Sequence, residues 1–561
     1  MSEGAKPRGG AASVATGILA SRLLGFVREG AFARYFGVGP HADALTAALR
    51  VPNVLQNLLG EGALSASFIP IYSGLLAEGR EEEAGRFAGA IFGLLLAAAS
   101  GFALLGVVLA KPLVYLLAPG YAKDAAAVAA GTLAVDRFAL TAHAVRILFP
   151  MTGFLVLSVW ALAILNSHRR FFLPYFAPVF WNAAMIAALV AAGRRLAPGA
   201  TPSAPEQVHL LYAACWGGFL GGLLQFLVQT PLVFRVLRGF RLSFSTRVPG
   251  VRQALRAWGP AVAGRGVVQL AGYVDLFLAS QLATGAASAD RFAQMFYLLP
   301  ISLFGISLAA SELPELSRLR GEEARPELLA RVRRALGMVA FLNVPTVVGY
   351  LAFGFLVTGL YRRGHFQVAD NWLVYLVLCG YTTGILATTS SRLLQNTFYA
   401  LGDTRSPARI AAVRVLTSAV IAIPLMLWLD RYPLSLVVGP LPGPALHLGS
   451  VGLALASGFG AWMELAQLRK SLRRRLPGFA LPWREDGRML LLAGLAAAPA
   501  GLLWWLLPPL PVFGTALLVL GTYGVTYLAA SRLAGVEEAR VWLGGLARWL
   551  QRSKARSTTS R

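Results

Sequence analysis

Long apolar runs, broken at short intervals by charge, proline and glycine, fill this chain from near residue 11 to near residue 533. About fourteen runs separate, at 11–37, 43–76, 86–117, 138–166, 171–193, 207–234, 257–284, 288–317, 335–360, 371–401, 407–429, 447–468, 489–508 and 512–531, each long enough for a hydrocarbon core of roughly 30 Å. None shows the alternation of a barrel strand, and a backbone in lipid must satisfy its own hydrogen bonds, so the runs are predicted to be helices. The pattern therefore predicts an all-α polytopic membrane protein. Beyond the last run, 536–550 is short and amphipathic, with Trp542 and Trp549 among Glu537, Glu538, Arg540 and Arg548. It reads as an interfacial helix followed by a basic Ser/Thr-rich tail.

Composition narrows the class. Of 561 residues, 56% are hydrophobic and 14% charged, with mean hydropathy +0.61, whereas soluble domains carry about a quarter charged residues. An ordinary soluble enzyme is excluded. The net charge of +25 would suggest nucleic acid, but the basic residues concentrate in alternate loops between the apolar runs, which is the positive-inside pattern and leaves no nucleic-acid partner to propose. Arg235, Arg238, Arg241, Arg247, Arg252 and Arg256 fill one such loop, and Arg469, Lys470, Arg473, Arg474 and Arg475 belong to another. Roughly 34 basic residues fall on one side and about 8 on the other, which predicts cytoplasmic N- and C-termini. The basic loop after the sixth run divides the chain into two helical lobes, an arrangement common in transporters.

Ionisable residues inside the runs carry the candidate chemistry, because a charge in a spanning helix faces a cavity, a partner or a pathway. Arg22, Arg28, Asp43, Arg50 and Glu61 occupy the first two runs, and Arg265, Asp275 and Glu312 the seventh and eighth. Arg22 and Arg28 lie about 9 Å apart along a helix axis, close enough to line one wide cavity. The plainer reading of Arg28 is a bridge to Glu29, Asp43 or Glu61. Arg265 interrupts a run of small residues, Ala261–Gly266, where a guanidinium must find an anion or water. Converging arginine forks match phosphate oxygens, so a phosphate-bearing substrate is the expectation. Arg146, Arg392, Arg414 and Glu464 read as structural charges. The six histidines have no metal spacing, Cys215 and Cys379 are far apart, and no P-loop, HExxH or GxSxG motif occurs. No cofactor or metal is predicted.

Several of these residues stand in larger strings. Ser21-Arg-Leu-Leu-Gly-Phe-Val-Arg28, Asp43-Ala, Pro52-Asn53, Gly60-Glu-Gly-Ala-Leu-Ser65 and Phe68-Ile-Pro70 come first. Then follow Arg146-Ile-Leu-Phe-Pro150, Ala163-Ile-Leu-Asn166, Phe176-Ala-Pro178 with Asn182, Gly305-Ile-Ser-Leu308, Leu313-Pro-Glu-Leu-Ser317 and Phe398-Tyr-Ala-Leu-Gly-Asp-Thr-Arg-Ser-Pro407. In order and in combination they resemble the MurJ (MviN) lipid II flippases over most of the first eleven runs. The resemblance implies a MOP-superfamily, MATE-like fold of two six-helix lobes (1–240 and 241–480) and two C-terminal helices (481–535), ahead of the amphipathic helix and basic tail (536–561) read from their composition. It implies a multi-pass protein of the bacterial inner membrane that moves lipid II outward by alternating access. The pyrophosphate of this undecaprenyl-linked precursor would bind in a cationic cavity. Membrane lipids and other cell-wall synthesis proteins are the further partners implied, and a membrane potential or ion gradient the driving force.

By this resemblance Arg22, Arg28, Asp43 and Arg50 match functional positions. The substrate-binding set is then Arg22, Arg28, Arg50 and Arg265, with Asp43, Glu61 and Ser65 at the cavity or its gate and Asp275 a candidate ion site. Two positions depart from the family pattern. Met295 stands where an arginine is expected and Gln56 where a second-helix basic residue is expected, so Arg265 would restore one charge. Asp275 lacks acidic or amide partners in 407–429, which argues against sodium coupling. Three alternatives compete: a flippase for another lipid-linked glycan, a cell-wall glycosyltransferase or polymerase using Asp124, Asp136 or Asp370, and a non-transporting scaffold. A drug exporter would carry acidic cavity residues and ranks last.

Overall fold

The computed structural model describes residues 8–59, 64, 67–199, 201–319, 321–508 and 510–544. Every predicted run overlaps a helix. We number these α1 (Arg8–Phe36), α2 (Pro40–Leu59), α3 (Glu81–Val108), α4 (Arg137–Ser167), α5 (Pro178–Leu196), α6 (Ala204–Leu227), α7 (Val251–Ser280) and α8 (Ala286–Pro300, continuing as Ser307–Arg318). Then come α9 (Arg325–Thr358), α10 (Val368–Thr382 with Ile385–Ala400), α11 (Arg405–Leu429), α12 (Gly449–Arg475), α13 (Trp483–Leu506) and α14 (Val512–Leu533).

Among the described residues, eight helices are long and apolar enough to cross a membrane, or nine with the bent α10 pair taken as one span. The expected fourteen is therefore not reached by length and composition. The helices that fall short are α1, α2, α7, α8 and α12, and they carry Arg22, Arg28, Asp43, Arg50, Arg265, Asp275, Asp290, Glu312 and Glu464. Ionisable groups held for a purpose lower the apolar signal of the helix that carries them.

Contacts divide the chain into two compact units, Met1–Ser288 with Arg362–Gln367, and Ala289–Tyr361 with Val368–Arg561. In the first unit α2, α3 and α6 pack on α4, and α5 packs on both α1 and α6. Helix association in lipid rests on close backbone approach rather than on water exclusion, and α6 supplies it with two glycine pairs. A Cβ at Gly217 or Gly221 would strike Ala188 or Trp181 of α5, while one at Gly218 or Gly222 would strike Leu148 or Met151 of α4. The apolar core nearest the start of α3 gathers Phe68, Tyr72, Phe87, Trp160 and Val233. The segment Arg362–Gln367 is clipped to this unit by His365, which donates its backbone N–H to Arg34 O (2.8 Å) and pairs Nε2 with Pro202 O (2.7 Å).

In the second unit α12 packs on α10 and α11, and α9 packs on α13. Helix α8 changes winding through a π-helical turn, Ile301–Ile306, and α10 bends by 41° between its halves. The string ending in Pro407 has a local structural task. Asp403 accepts from the backbone N–H of Arg405 and Ser406 (both 3.0 Å) and pairs with Arg475 at 2.6 Å. The bonds from Ser406 and the Arg475 guanidinium hold its carboxyl below the usual carboxylate range. Residues 537–544 are helical as predicted, and Val536 and Ala539 are buried in the core shared by α9, α13 and α14.

Candidate functional site

Helix α1 presents Arg22 exposed and Arg28 largely enclosed, its side chain 13% exposed. Neighbouring residues on a helix point about 100° apart, so Arg28 and Glu29 do not face each other by default. They meet because the Arg28 guanidinium is drawn toward α5. One terminal nitrogen donates to Asn182 Oδ1 at 2.9 Å, the other to Glu29 Oε1 at 2.7 Å, and the plane stacks 4.7 Å from the Trp181 ring and 5.7 Å from Phe32. Asn182 is fixed in turn by donating to Pro178 O and Ser21 O. The Arg28 guanidinium is thus held in place, with Glu29, buried to 3% exposure, as an ion-pair partner. Of the bridges foreseen for Arg28, the structure contains the one to Glu29.

A second cluster surrounds Asp43, which is fully buried. Its Oδ1 accepts from the Ser288 backbone N–H (2.8 Å) and hydroxyl (2.7 Å), and its Oδ2 from the Gly285 N–H (2.7 Å). These donors open α8, so the carboxylate occupies the place where a helix N-terminus leaves N–H groups unsatisfied and carries partial positive charge. Oδ2 also meets Arg137 at 3.3 Å. Arg137 forks onto Asp124 at 2.6 and 3.1 Å and lies 4.5 Å over the Tyr121 ring. The arginine paired with Asp43 is therefore Arg137, which sequence reasoning passed over because it sits at the edge of the fourth run and reads as a loop charge.

The other expected residues are distributed as follows. Arg50 and Asp275 are half-buried, and neither is without a partner. Arg265 lies on α7, with its side chain outside the described set; Glu61 and Ser65 lie outside the described residues altogether. Met295 is half-buried on α8. Glu312 pairs with Arg331 (2.7 Å), and Glu464 pairs with Arg414 (2.8 Å) and accepts from Gln395 (2.8 Å), which are structural bonds within the second unit. Two carboxylates considered for an enzyme are also engaged: Asp124 holds Arg137, and Asp136 caps α4 through the Ala139 N–H at 3.0 Å. Sequence reasoning also left unused a buried network in the second unit, where Tyr381 donates to Asp290 Oδ1 (2.5 Å) and Gln294 to Oδ2 (2.9 Å).

The family described as "Lipid II flippase MurJ" matches residues 32–523. The chain belongs to the MurJ family. The lipid II flippase MurJ of Burkholderia cenocepacia is 30% identical over 493 residues, 87% of each chain. The probable lipid II flippase MurJ of Vibrio cholerae is 28% identical, covering 92% of this chain and 94% of its own. Among solved structures, a lipid II flippase MurJ in an inward closed conformation superposes with a TM-score of 0.72 at 20% identity, covering 93% of this chain and 98% of that one. An inward-facing multidrug resistance MATE family transporter of the MOP superfamily follows at TM-score 0.61 and 14% identity, covering 82% and 95%. The fold is thus the all-helical MOP fold. The MurJ family is one of transporters, not enzymes.

Proposed function

We propose that this chain moves lipid II across the bacterial inner membrane from the cytoplasmic to the outer leaflet. It matches proteins named lipid II flippase MurJ and probable lipid II flippase MurJ over nearly the whole length of both chains. No bond is made or broken, so the protein's task is to lower the cost of carrying a pyrophosphate and its sugars through hydrocarbon. Arg22, Arg28, Arg50 and Arg265 are the anion-binding groups. The observation that carries this reading is Arg28. Its guanidinium is set in place by Asn182 and Trp181, and the anion it holds is a side chain that an incoming phosphate can replace. Asp43 steadies the start of α8 in the conformation seen here. Glu61 and Ser65 act at the gate, and Asp275 remains the candidate ion site.

Alternating access, with lobes 1–240 and 241–480 exchanging which side they open to and both termini cytoplasmic, is the mechanism proposed. That the fold is shared with MATE transporters solved in inward-facing and outward-facing conformations supports it. The experiment is complementation of a bacterium depleted of its own flippase. Wild type is expected to restore growth and shape, and Arg22→Ala and Arg28→Ala, at equal expression, are expected not to. Failure of well-expressed wild type would contradict the proposal and turn attention to another lipid-linked glycan.

A further inference from the structure

The basic loop between α6 and α7 is not a free connection. Its backbone lies along a ladder of glycines on α3. A Cβ on Gly85 would fall 1.8 Å from Arg238 O, on Gly89 2.1 Å from Arg241 O, and on Gly93 2.1 Å from Ser243 O. The chain therefore advances along α3 as it runs from 238 to 243. It then turns through 246–250 and returns to Gly250, which lies against Phe87 and Ile71. Phe240 fixes the hairpin to the core through Phe92 (6.0 Å between ring centroids) and Trp160 (6.3 Å).

The depth of this hairpin follows from helix geometry. Arg86 is the last charged residue of α3. Gly93 lies seven residues further on, roughly 10 Å along the axis at 1.5 Å per residue. A segment packed against Gly93 therefore sits beyond the headgroup end of a membrane-crossing helix. The side chains there agree, since Leu242 is 53% and Phe244 57% exposed. Basic groups ring the base of the hairpin. Arg80, Glu83, Arg86 and Gln253 line a cleft of about 370 Å³ with Val248 and Gly250, and Arg247 and Arg252 line an adjoining one that shares Val248, Pro249 and Gly250. Arg80 is already paired with Glu78 and Glu83, whereas Arg86, Arg247 and Arg252 are exposed.

We propose that residues 234–256 form a lipid-embedded hairpin that binds an anionic phospholipid, its acyl chain against Leu242 and Phe244 and its phosphodiester at the Arg86, Arg247 and Arg252 rim. Apolar side chains set into the acyl region beside arginines at the headgroup level are the composition of an interfacial anchor, and each basic residue near an anionic surface contributes favourably. The glycine ladder is what allows an extended segment to lie flat on a spanning helix. The proposal stands apart from the transport reading, because it concerns the outer face of the first unit.

The test uses the full chain with both cysteines removed (Cys215→Ala, Cys379→Ala), a nitroxide attached at Phe244→Cys or Arg247→Cys, and vesicles of equal parts phosphatidylglycerol and phosphatidylcholine. At 244, collisions with oxygen should exceed those with a water-soluble nickel chelate several-fold, and at 247 the order should reverse. Replacing phosphatidylglycerol by phosphatidylcholine should raise the mobility of the 244 label, and Arg86→Gln with Arg252→Gln should abolish that response. Leu242→Cys serves as a second probe of depth. Equal chelate access at 244 and 247 overturns the proposal, and so does a 244 label indifferent to phosphatidylglycerol.

Discussion

Two arginines in the first unit show how far a residue can be read before its neighbours are known. Arg28 was legible as a costly charge in an apolar helix, but its partners Asn182 and Trp181 are more than 150 positions away and no local pattern points to them. Arg137 was not legible, because a charge at the end of a run is usually a loop residue. The structure buries it between Asp124 and Asp43, and removing one member of a buried ionic group leaves the others uncompensated. Arg137→Ala is expected to destabilise the protein by about 3–5 kcal/mol, read as a lowered thermal unfolding midpoint in detergent. Arg137→Met combined with Asp124→Leu should cost less than the single change. An unchanged midpoint in Arg137→Ala would remove the structural role assigned here. At Arg28 the expectation is about function. Asn182→Ala leaves the charge but frees the guanidinium, so complementation should weaken while expression stays at the wild-type level.

At the scale of elements, the apolar runs located the helices well, because a lipid-exposed backbone has few options. The pattern did not register the π turn in α8 or the 41° bend in α10, since winding changes alter hydrogen bonding without altering composition. It read the basic loop as an orientation signal and as the division between two lobes, not as a packed element. That the loop lies along α3 depends on glycines recurring every fourth residue, Gly85, Gly89 and Gly93, a spacing visible in the sequence but without meaning until the occupant of the groove is known. Gly89→Leu would force the Arg241 carbonyl out of its place. The expected result is about tenfold faster tryptic cleavage after Arg241 and Arg247, the equivalent of roughly 1.4 kcal/mol of lost docking, with α3 itself intact. Cleavage at the wild-type rate would show that the ladder does not hold the loop.

For the whole molecule, the apolar runs and the charge asymmetry describe the class before any contact is known: many apolar helices and one basic side. The two compact units, their boundary at Ser288, and the inclusion of Arg362–Gln367 in the first are tertiary facts that a sequence read from end to end cannot supply. The proposed orientation has its own check. Cysteines at Ser2 and Ser557 should react with a membrane-impermeant maleimide only after the inner membrane is opened, and labelling of either in intact spheroplasts would refute cytoplasmic termini. The central claim is that this chain carries lipid II outward through groups that include Arg28. Its most direct measurement is the fraction of lipid II accessible to an externally added degrading enzyme in flippase-depleted cells expressing either wild type or Arg28→Ala. The account predicts that wild type raises that fraction and Arg28→Ala, equally expressed, leaves it at the depleted level; equal accessible fractions with the two proteins would contradict it.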